Sequence, residues 1–328
     1  MIIVTGGAGF IGSNIVATLR ARVRDALVVA DWLGAGDKWR NLRNTAVDHV
    51  IAPEELRAFL DRNRSAVRAV VHMGANSSTT ERDVDHLAWV NIGATADLWD
   101  WCTEHQKALI YASSGATYGD GSAGFDDDIG LDYLTKLKPL NPYGWSKHVS
   151  DVRIARIVAQ GVRRPPQWLG LKFFNVYGPN EAHKGDMMSV VAKIFPKAQE
   201  GETIDLFRSH RPDYEDGGQL RDFVYVKDCA EVVAWALENP SASGLFNLGT
   251  GKARAFRDLA KAVFAALNRE PKIRYIDTPA EIRDKYQYFT EAKMERLRAA
   301  GYTKAFTPLE GGVFDYVQKY LSADDPYR

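Results

Sequence analysis

Tyr143 and Lys147 stand four residues apart in Tyr143-Gly144-Trp145-Ser146-Lys147, a spacing that puts both side chains on one face of a helix. A free phenol, with a pKa of about 10, is a poor acid or base near neutrality. An ammonium ~5 Å away, at an effective dielectric of ~20, favours the phenolate by roughly 3 kcal/mol. That brings the phenol pKa down by about two. An oxidised nicotinamide ring beside it would act in the same direction. The pair could then move a proton to or from a sugar hydroxyl near pH 7. Taken alone, the spacing is a weak signal, because a Tyr and a Lys so placed are usually part of a solvated helix face. The helix start is written clearly, with Asn141 placed to cap it and Pro142 suited to its first turn.

The elements that must position this pair begin at the first residue. Met1-Ile2-Ile3-Val4-Thr5 reads as a strand, and Gly6-Gly7-Ala8-Gly9-Phe10-Ile11-Gly12 follows it. A helix pattern comes next, with Ile15, Val16, Leu19 and Val23 on one face. Strand, glycine turn and helix together let backbone approach a pyrophosphate and aim unpaired N–H groups at it. A second strand, 26–30, ends at Asp31, where a ribose-binding acid is expected. Asp31 favours NAD by accepting from a ribose 2′-hydroxyl. Lys38 and Arg40, just beyond, could instead attract the 2′-phosphate of NADP. Both cofactors stay open on this reading.

Further along, 69–73 reads as a buried parallel strand followed by a small-residue loop, 74–80. Such loops lie at the carboxyl ends of the strands, where a dinucleotide binds. A helix spans about 83–105 and carries Asn91, which could hold backbone near the nicotinamide. The strand 108–112 delivers Ser113 and Ser114. A hydroxyl at Ser114 could orient a substrate hydroxyl for proton transfer, or only cap a turn. Asp126-Asp127-Asp128 reads as a solvated loop. Residues 168–175 form another strand, ending in a turn at Val176-Tyr177-Gly178-Pro179.

Bulk properties bound the rest. The 328 residues allow roughly two domains of ordinary size. Lys+Arg and Asp+Glu both number 42, so no global field favours nucleic acid or an anionic membrane. Cys102 and Cys229 are too few for a disulfide framework. The seven histidines show no metal-ligand spacing, and no metal is expected. No leader peptide or membrane-length apolar run appears, so a cytoplasmic location is expected.

Taken in order, the glycine turn, Ser113-Ser114, Tyr143-x-x-x-Lys147 and Asn175-Val176-Tyr177-Gly178-Pro179 resemble the extended short-chain dehydrogenase/reductases. Arg221-Asp222-Phe223-Val224-Tyr225-Val226-x-Asp228 and Asn247-Leu248-Gly249-Thr250-Gly251 continue the match, from residue 2 to beyond 300. Ser114 is followed by Gly115-Ala116 rather than the Asp-Glu pair of the sugar-nucleotide dehydratases, which disfavours dehydration. Glu181 to Met187, Ser77 to Glu81 and Leu297 to Tyr302 are similar to the branch that inverts C6″ of an ADP-linked heptose for the lipopolysaccharide core.

The resemblance implies bound NADP, with NAD possible, and a homo-oligomer, a pentamer by analogy. It implies Tyr143 as acid/base on one face of the carbon and Lys184 on the other. Lys147 would tune Tyr143 and hold the nicotinamide ribose, and Ser114 would assist. Implied cofactor contacts are Gly6, Gly9, Phe10, Ile11, Gly12, Asp31, Trp32, Lys38, Met73, Gly74, Ala75, Asn76, Ser77, Asn91, Lys147 and Val176. Implied substrate contacts are Ser114, Asn175, Lys184, Asp186, Lys193, Phe207, Arg208, Ser209, His210, Arg221 and Tyr286. Arg221 and Lys193 suit a diphosphate by charge.

The chain departs from the pattern in places. Lys172 stands where relatives usually carry Arg, Pro53 where a cofactor-proximal Lys is expected, and Asp186 where a Ser is expected, next but one to Lys184. The segment 210–220 is longer and more polar. A carboxylate at Asp186 would raise the Lys184 pKa.

The expected architecture is α/β: a doubly wound, Rossmann-like parallel sheet over 1–174 plus 222–249, and a smaller α/β substrate domain over 175–221 plus 250–328. Two other readings remain. One is another nucleotide-sugar epimerase or reductase of the superfamily, such as a UDP-hexose 4-epimerase. The other is a non-catalytic NAD(P)-binding sensor, against which the joint presence of Ser114, Tyr143 and Lys147 argues.

Overall fold

Ile2–Thr5 (β1) is buried along its whole length. Ile2 and Val4 pack into one core layer and Ile3 into another. A strand that is apolar on both faces is stable only between two covering layers, and the rest of the chain supplies them. The computed structural model describes residues 1–279, 283 and 287–328. Tyr286, expected at the substrate, lies outside the described residues.

Within the described residues the strands are β1, β2 (Leu27–Ala30), β3 (His49–Ile51), β4 (Ala69–His72), β5 (Ala108–Ser114), β6 (Trp168–Phe173), β7 (Asn175–Tyr177), β8 (Ile204–Phe207), β9 (Leu220–Tyr225), β10 (Gly244–Leu248), β11 (Ala253–Ala255) and β12 (Ile273–Ile276). Seven of them form one sheet in the order β10-β6-β5-β4-β1-β2-β3, paired in parallel throughout. The chain winds outward from β1 in one direction and returns at β4 to wind in the other. The reversal leaves a crevice at the carboxyl ends of β1 and β4, where such folds bind ligands.

Helices α1 (Phe10–Arg22), α2 (Ala94–Glu104), α3 (Pro142–Ala159), α4 (Val190–Glu200), α5 (Val226–Glu238) and α6 (Phe256–Ala266) supply most of the cover. Val16 and Leu19 of α1 and Val232 and Val233 of α5 close one face of the large sheet. Leu98, Trp99 and Trp101 of α2 and Ile154 of α3 close the other. Each such side chain stabilises the fold by roughly 1.5–3 kcal/mol. The sheets β11-β9-β7 and β12-β8 lie beside α4 and α6 around a separate core that includes Val191, Phe195, Leu206, Phe223, Leu259 and Phe264.

The doubly wound sheet matches expectation, and several details differ. The run 168–175 is two strands: β6 ends at Phe173, and Asn175 opens β7 in the three-stranded sheet. Val176 and Tyr177 are therefore strand rather than turn. Leu220–Tyr225 joins that small sheet, while Gly244–Leu248 returns to the large one. The helix after β4 begins at Val84–Leu87, capped by the Asp83 carboxylate accepting from His86 N at 2.9 Å. It passes through a π-helical turn, Ala88–Gly93, into α2.

Asp127 is not solvated; it is 1% exposed. Its Oδ2 accepts from Asn247 N at 2.8 Å, and burial raises its carboxyl pKa to about 6. Among the described residues no helix is long and apolar enough to cross a membrane, and no group of three His, Cys, Asp or Glu is arranged to hold a metal.

Candidate active site

The crevice opens into a cavity of about 1010 Å³, and the glycine turn forms one wall. Gly6 has φ +63°, and a Cβ on it would lie 2.6 Å from Gly74 N on the loop after β4. A Cβ on Gly12 would lie 2.1 Å from the Gly6 carbonyl oxygen. The absent side chains let the turn fold onto itself and onto its neighbour. No side chain caps the N-terminus of α1, so its first N–H groups remain available to an anion. Asp31 at the end of β2 accepts from Ala8 N at 2.9 Å and from Lys38 Nζ at 2.6 Å. This cradle fits a dinucleotide pyrophosphate and its ribose.

Of the expected cofactor contacts, Gly6, Gly9, Phe10, Ile11, Gly12, Asp31, Trp32, Lys38, Met73, Gly74, Ala75, Asn76, Ser77, Lys147 and Val176 all line this cavity. Asn91 stands behind it. Fully buried in the π-helical turn, it accepts from Asn76 N at 2.9 Å and donates to Asn76 O at 3.0 Å and Ser146 Oγ at 2.9 Å. One amide thus fastens the loop after β4 to α3. Pro53 also lines the cavity and starts a short turn that brings Glu54 to the indole of Trp32, Nε1 to Oε1 2.9 Å.

On α3 the local design follows the sequence. Asn141 Oδ1 accepts from Gly144 N at 2.8 Å, and Pro142 occupies the first turn. The Tyr143 phenol is hydrogen-bonded with Ser114, and both line the cavity. Burial raises the Tyr143 pKa, and the Ser114 bond opposes it. This differs from the depression expected from Lys147. The ammonium of Lys147 is itself buried, 2% exposed, and donates to Ala112 O at 2.9 Å. Burial lowers its pKa to about 8, with the Asp151 carboxylate opposing.

Lys184 reaches the same cavity from a different element. It sits on the 3-10 turn Ala182–Met187, kinked at Gly185 with φ +53°. Its Nζ lies 5.2 Å from the centre of the Phe10 ring. Burial lowers its pKa, the Glu181 carboxylate opposes this, and Lys193 adds to the lowering. The carboxylate acting on Lys184 is therefore Glu181, not Asp186, which is exposed. Glu181 is 1% exposed and accepts from Ser189 Oγ at 2.6 Å. The adjacent His183 bonds through Nδ1 with Asn41 Nδ2 at 3.0 Å, and that amide also donates to Ala8 O at 2.8 Å. Asn41 thereby ties the Lys184 turn to the glycine turn.

The expected substrate residues divide. Ser114, Asn175 and Lys184 line the cavity; Asp186, Lys193, Phe207, Arg208, Ser209, His210 and Arg221 do not. Arg221 is 7% exposed; its guanidinium bonds to the Gln287 carbonyl and lies 5.7 Å from the ring centre of Phe256, a cavity residue. Arg208 pairs with Asp216 and Asp277. His210 bonds to the Tyr288 hydroxyl through N at 2.9 Å and Nδ1 at 2.8 Å. Met187, Met188, Phe223 and Phe256 also line the cavity and were missed, because apolar residues carry no signal that separates a wall from a core.

A glycine cradle at the switch point of a doubly wound sheet, beside the Ser114, Tyr143 and Lys147 side chains, defines a dinucleotide-dependent enzyme. The chain belongs to the NAD dependent epimerase/dehydratase family, whose sequence pattern matches residues 2–249. It is 51% identical, over 100% of both chains, to the ADP-L-glycero-D-manno-heptose-6-epimerase of Nitratidesulfovibrio vulgaris strain DP4. Among solved structures it is similar to the Helicobacter pylori ADP-L-glycero-D-manno-heptose-6-epimerase, with TM-score 0.80 and 27% identity over 98% of this chain and 96% of that one. It is also similar to the Thermus thermophilus UDP-glucose 4-epimerase in complex with NAD, with TM-score 0.72 and 26% identity over 95% and 96%.

Proposed function

We propose that this chain converts ADP-D-glycero-β-D-manno-heptose to ADP-L-glycero-β-D-manno-heptose by inverting C6″, a step in building the lipopolysaccharide core. The observation that carries the reading is that Tyr143 and Lys184, held by different elements, line one cavity with the glycine turn. A nicotinamide dinucleotide on that turn supplies the group that takes and returns hydride. Gly6, Gly9, Gly12 and the start of α1 would hold its pyrophosphate, and Asp31 and Lys38 its ribose end. NADP is the proposed form, with Lys38 turning from Asp31 to the 2′-phosphate, and NAD is the alternative.

One of the two side chains takes the 6″-hydroxyl proton as the carbon becomes a carbonyl. The carbonyl then presents its other face, and the second side chain supplies the proton that restores the hydroxyl. Ser114 orients the hydroxyl for Tyr143, and Lys147 holds the ribose. Burial makes Lys184 readier to release its proton than an exposed lysine. Nothing is oxidised overall. The same reading places the cofactor on 1–174 plus 222–249 and the substrate on 175–221 plus 250–328, in a cytoplasmic homo-oligomer.

The test is incubation with ADP-D-glycero-D-manno-heptose deuterated at C6″, with no cofactor added. Epimerisation with the label retained is expected. Loss of the label, or turnover of a UDP-hexose in its place, would sink the proposal.

A further inference from the structure

Beneath the Ser114–Tyr143–Lys147 set lies an ion pair that reaches no solvent. Lys172 on β6 and Asp151 on α3 are both 0% exposed at their side chains, with Nζ 2.8 Å from Oδ2. Taking both charges out of water is costly, and apolar side chains of similar volume are often as stable or more so. Stability alone therefore gives little reason for the pair.

Its bonds show what it grips. Asp151 accepts from Ser113 Oγ at 2.7 Å and from Tyr111 OH at 3.3 Å, both on β5. Lys172 donates to Thr117 Oγ1 at 2.7 Å, and that hydroxyl donates to the Ser114 carbonyl at 2.8 Å. Two bonds thus join the ammonium to the backbone of Ser114. Asp151 lies one helical turn beyond Lys147, and its carboxylate is the group that favours the Lys147 ammonium.

The other ionisable groups around this part of α3 contribute no comparable field. His72 on β4 is held neutral by burial, its pKa lowered to about 3. Burial also lowers His148 on α3, and Tyr111 and Tyr143 are raised by burial and stay neutral. His86, on the helical turn packed across α3, is half-buried and lines the cavity.

We propose that Lys172 and Asp151 are positioning residues for the reaction: they lock the Ser114 turn against α3 and supply the field in which Lys147 works. Neither touches the cavity. The inference rests on the epimerase reading for its kinetic consequence and on the fold alone for its effect on Lys147.

The test compares wild type with Asp151→Asn, Lys172→Arg and the neutral double variant Asp151→Asn/Lys172→Gln. Asp151→Asn is expected to lose at least tenfold in kcat, with KM within about twofold. The alkaline limb of its pH profile should move to lower pH. Lys172→Arg, which keeps a buried cation, should retain at least a third of the wild-type kcat. If Asp151→Asn does not fold, the double variant, which leaves no lone buried charge, carries the same expectation.

A measurement independent of turnover accompanies this: the pH dependence of acetic anhydride labelling at Lys147, read by mass spectrometry, whose midpoint should fall in Asp151→Asn and in the double variant. Folded variants with wild-type kcat and an unmoved midpoint would overturn the inference. An inactive wild type with a shifted midpoint would instead overturn the epimerase reading and leave the pair's role on Lys147 standing.

Discussion

Gly144 on α3 stands so close to Ala116 that a Cβ would come within 2.7 Å of the Ala116 carbonyl oxygen. Backbone cannot yield there as a flexible side chain can. The contact seats the start of α3, which carries Tyr143, against the turn that follows Ser114. Gly144→Ala should push the start of α3 away from the turn after β5 and cost about 1–3 kcal/mol as an overpacked site. Its larger effect is on geometry, because a shift of about 1 Å in a reacting group can cost roughly 10²-fold. A kcat loss of that order, with cofactor still bound, is expected in steady-state kinetics. Wild-type kcat would show that the close approach has no catalytic consequence.

Removing either of the two side chains proposed to handle the proton should stop inversion without emptying the cofactor site. Tyr143→Phe and Lys184→Met are each expected to lower kcat by at least ~10³-fold, at the upper part of the range for positioned acids and bases. Absorbance of the dinucleotide in the purified protein should be unchanged. A mild effect of Lys184→Met would favour a mechanism with one acid/base, as in a different nucleotide-sugar reaction.

At Gly12 the added Cβ would stand 2.1 Å from the Gly6 carbonyl oxygen. The turn must open to admit it, and the N-terminus of α1 then loses its aim at an anion. Gly12→Ala should be purified without dinucleotide and bind it at least tenfold more weakly in calorimetry. Retention at wild-type stoichiometry would refute the proposed placement.

Asn91→Ala removes the amide that holds both backbone groups of Asn76. Each polar group left buried without a partner costs about 1–3 kcal/mol. Thermal unfolding should fall by several degrees, and cofactor affinity should drop with it, since the loop after β4 loses its anchor. Unchanged melting and affinity would show that the clamp is redundant.

Lys147 gives a pH dependence with a definite sign. Its value is 10.5 unfolded and about 8 in the native state. Between the two the unfolded chain binds more protons, so this group makes stability rise with pH across that window and adds no slope below it. Denaturant unfolding from pH 7.5 to 10 should show a steeper rise for wild type than for Lys147→Met. Equal slopes would mean that the native ammonium is not destabilised. In activity, kcat/KM should fall above about pH 8 as the same ammonium discharges.

Much of this was legible in the sequence because covalent facts force it. Only glycine can occupy positions 6 and 12, and Asn141-Pro142 can hardly be anything but a helix start. Charged side chains were harder to read. Asp127 looks like a loop acid until Asn247 N is found against it, and Glu181 gives no hint that it underlies Lys184. Lys172 did carry a signal. A lysine inside an apolar strand buried on both faces must have a partner, but its identity depends on how α3 packs over β5 and β6, which no local pattern specifies. The small sheets were misread for a similar reason: Phe173 to Asn175 changes sheet without any turn residue to mark it.

That change of sheet has a mechanical consequence. Phe174 alone separates β6 from β7. At the third crossing, between β10 and β11, the N–H groups of Thr250 and Gly251 are both pinned to the Asp222 carboxylate at 2.7 and 2.9 Å. A joint of one residue and a joint riveted to a buried acid leave little torsional freedom for a hinge at these two of the three crossings.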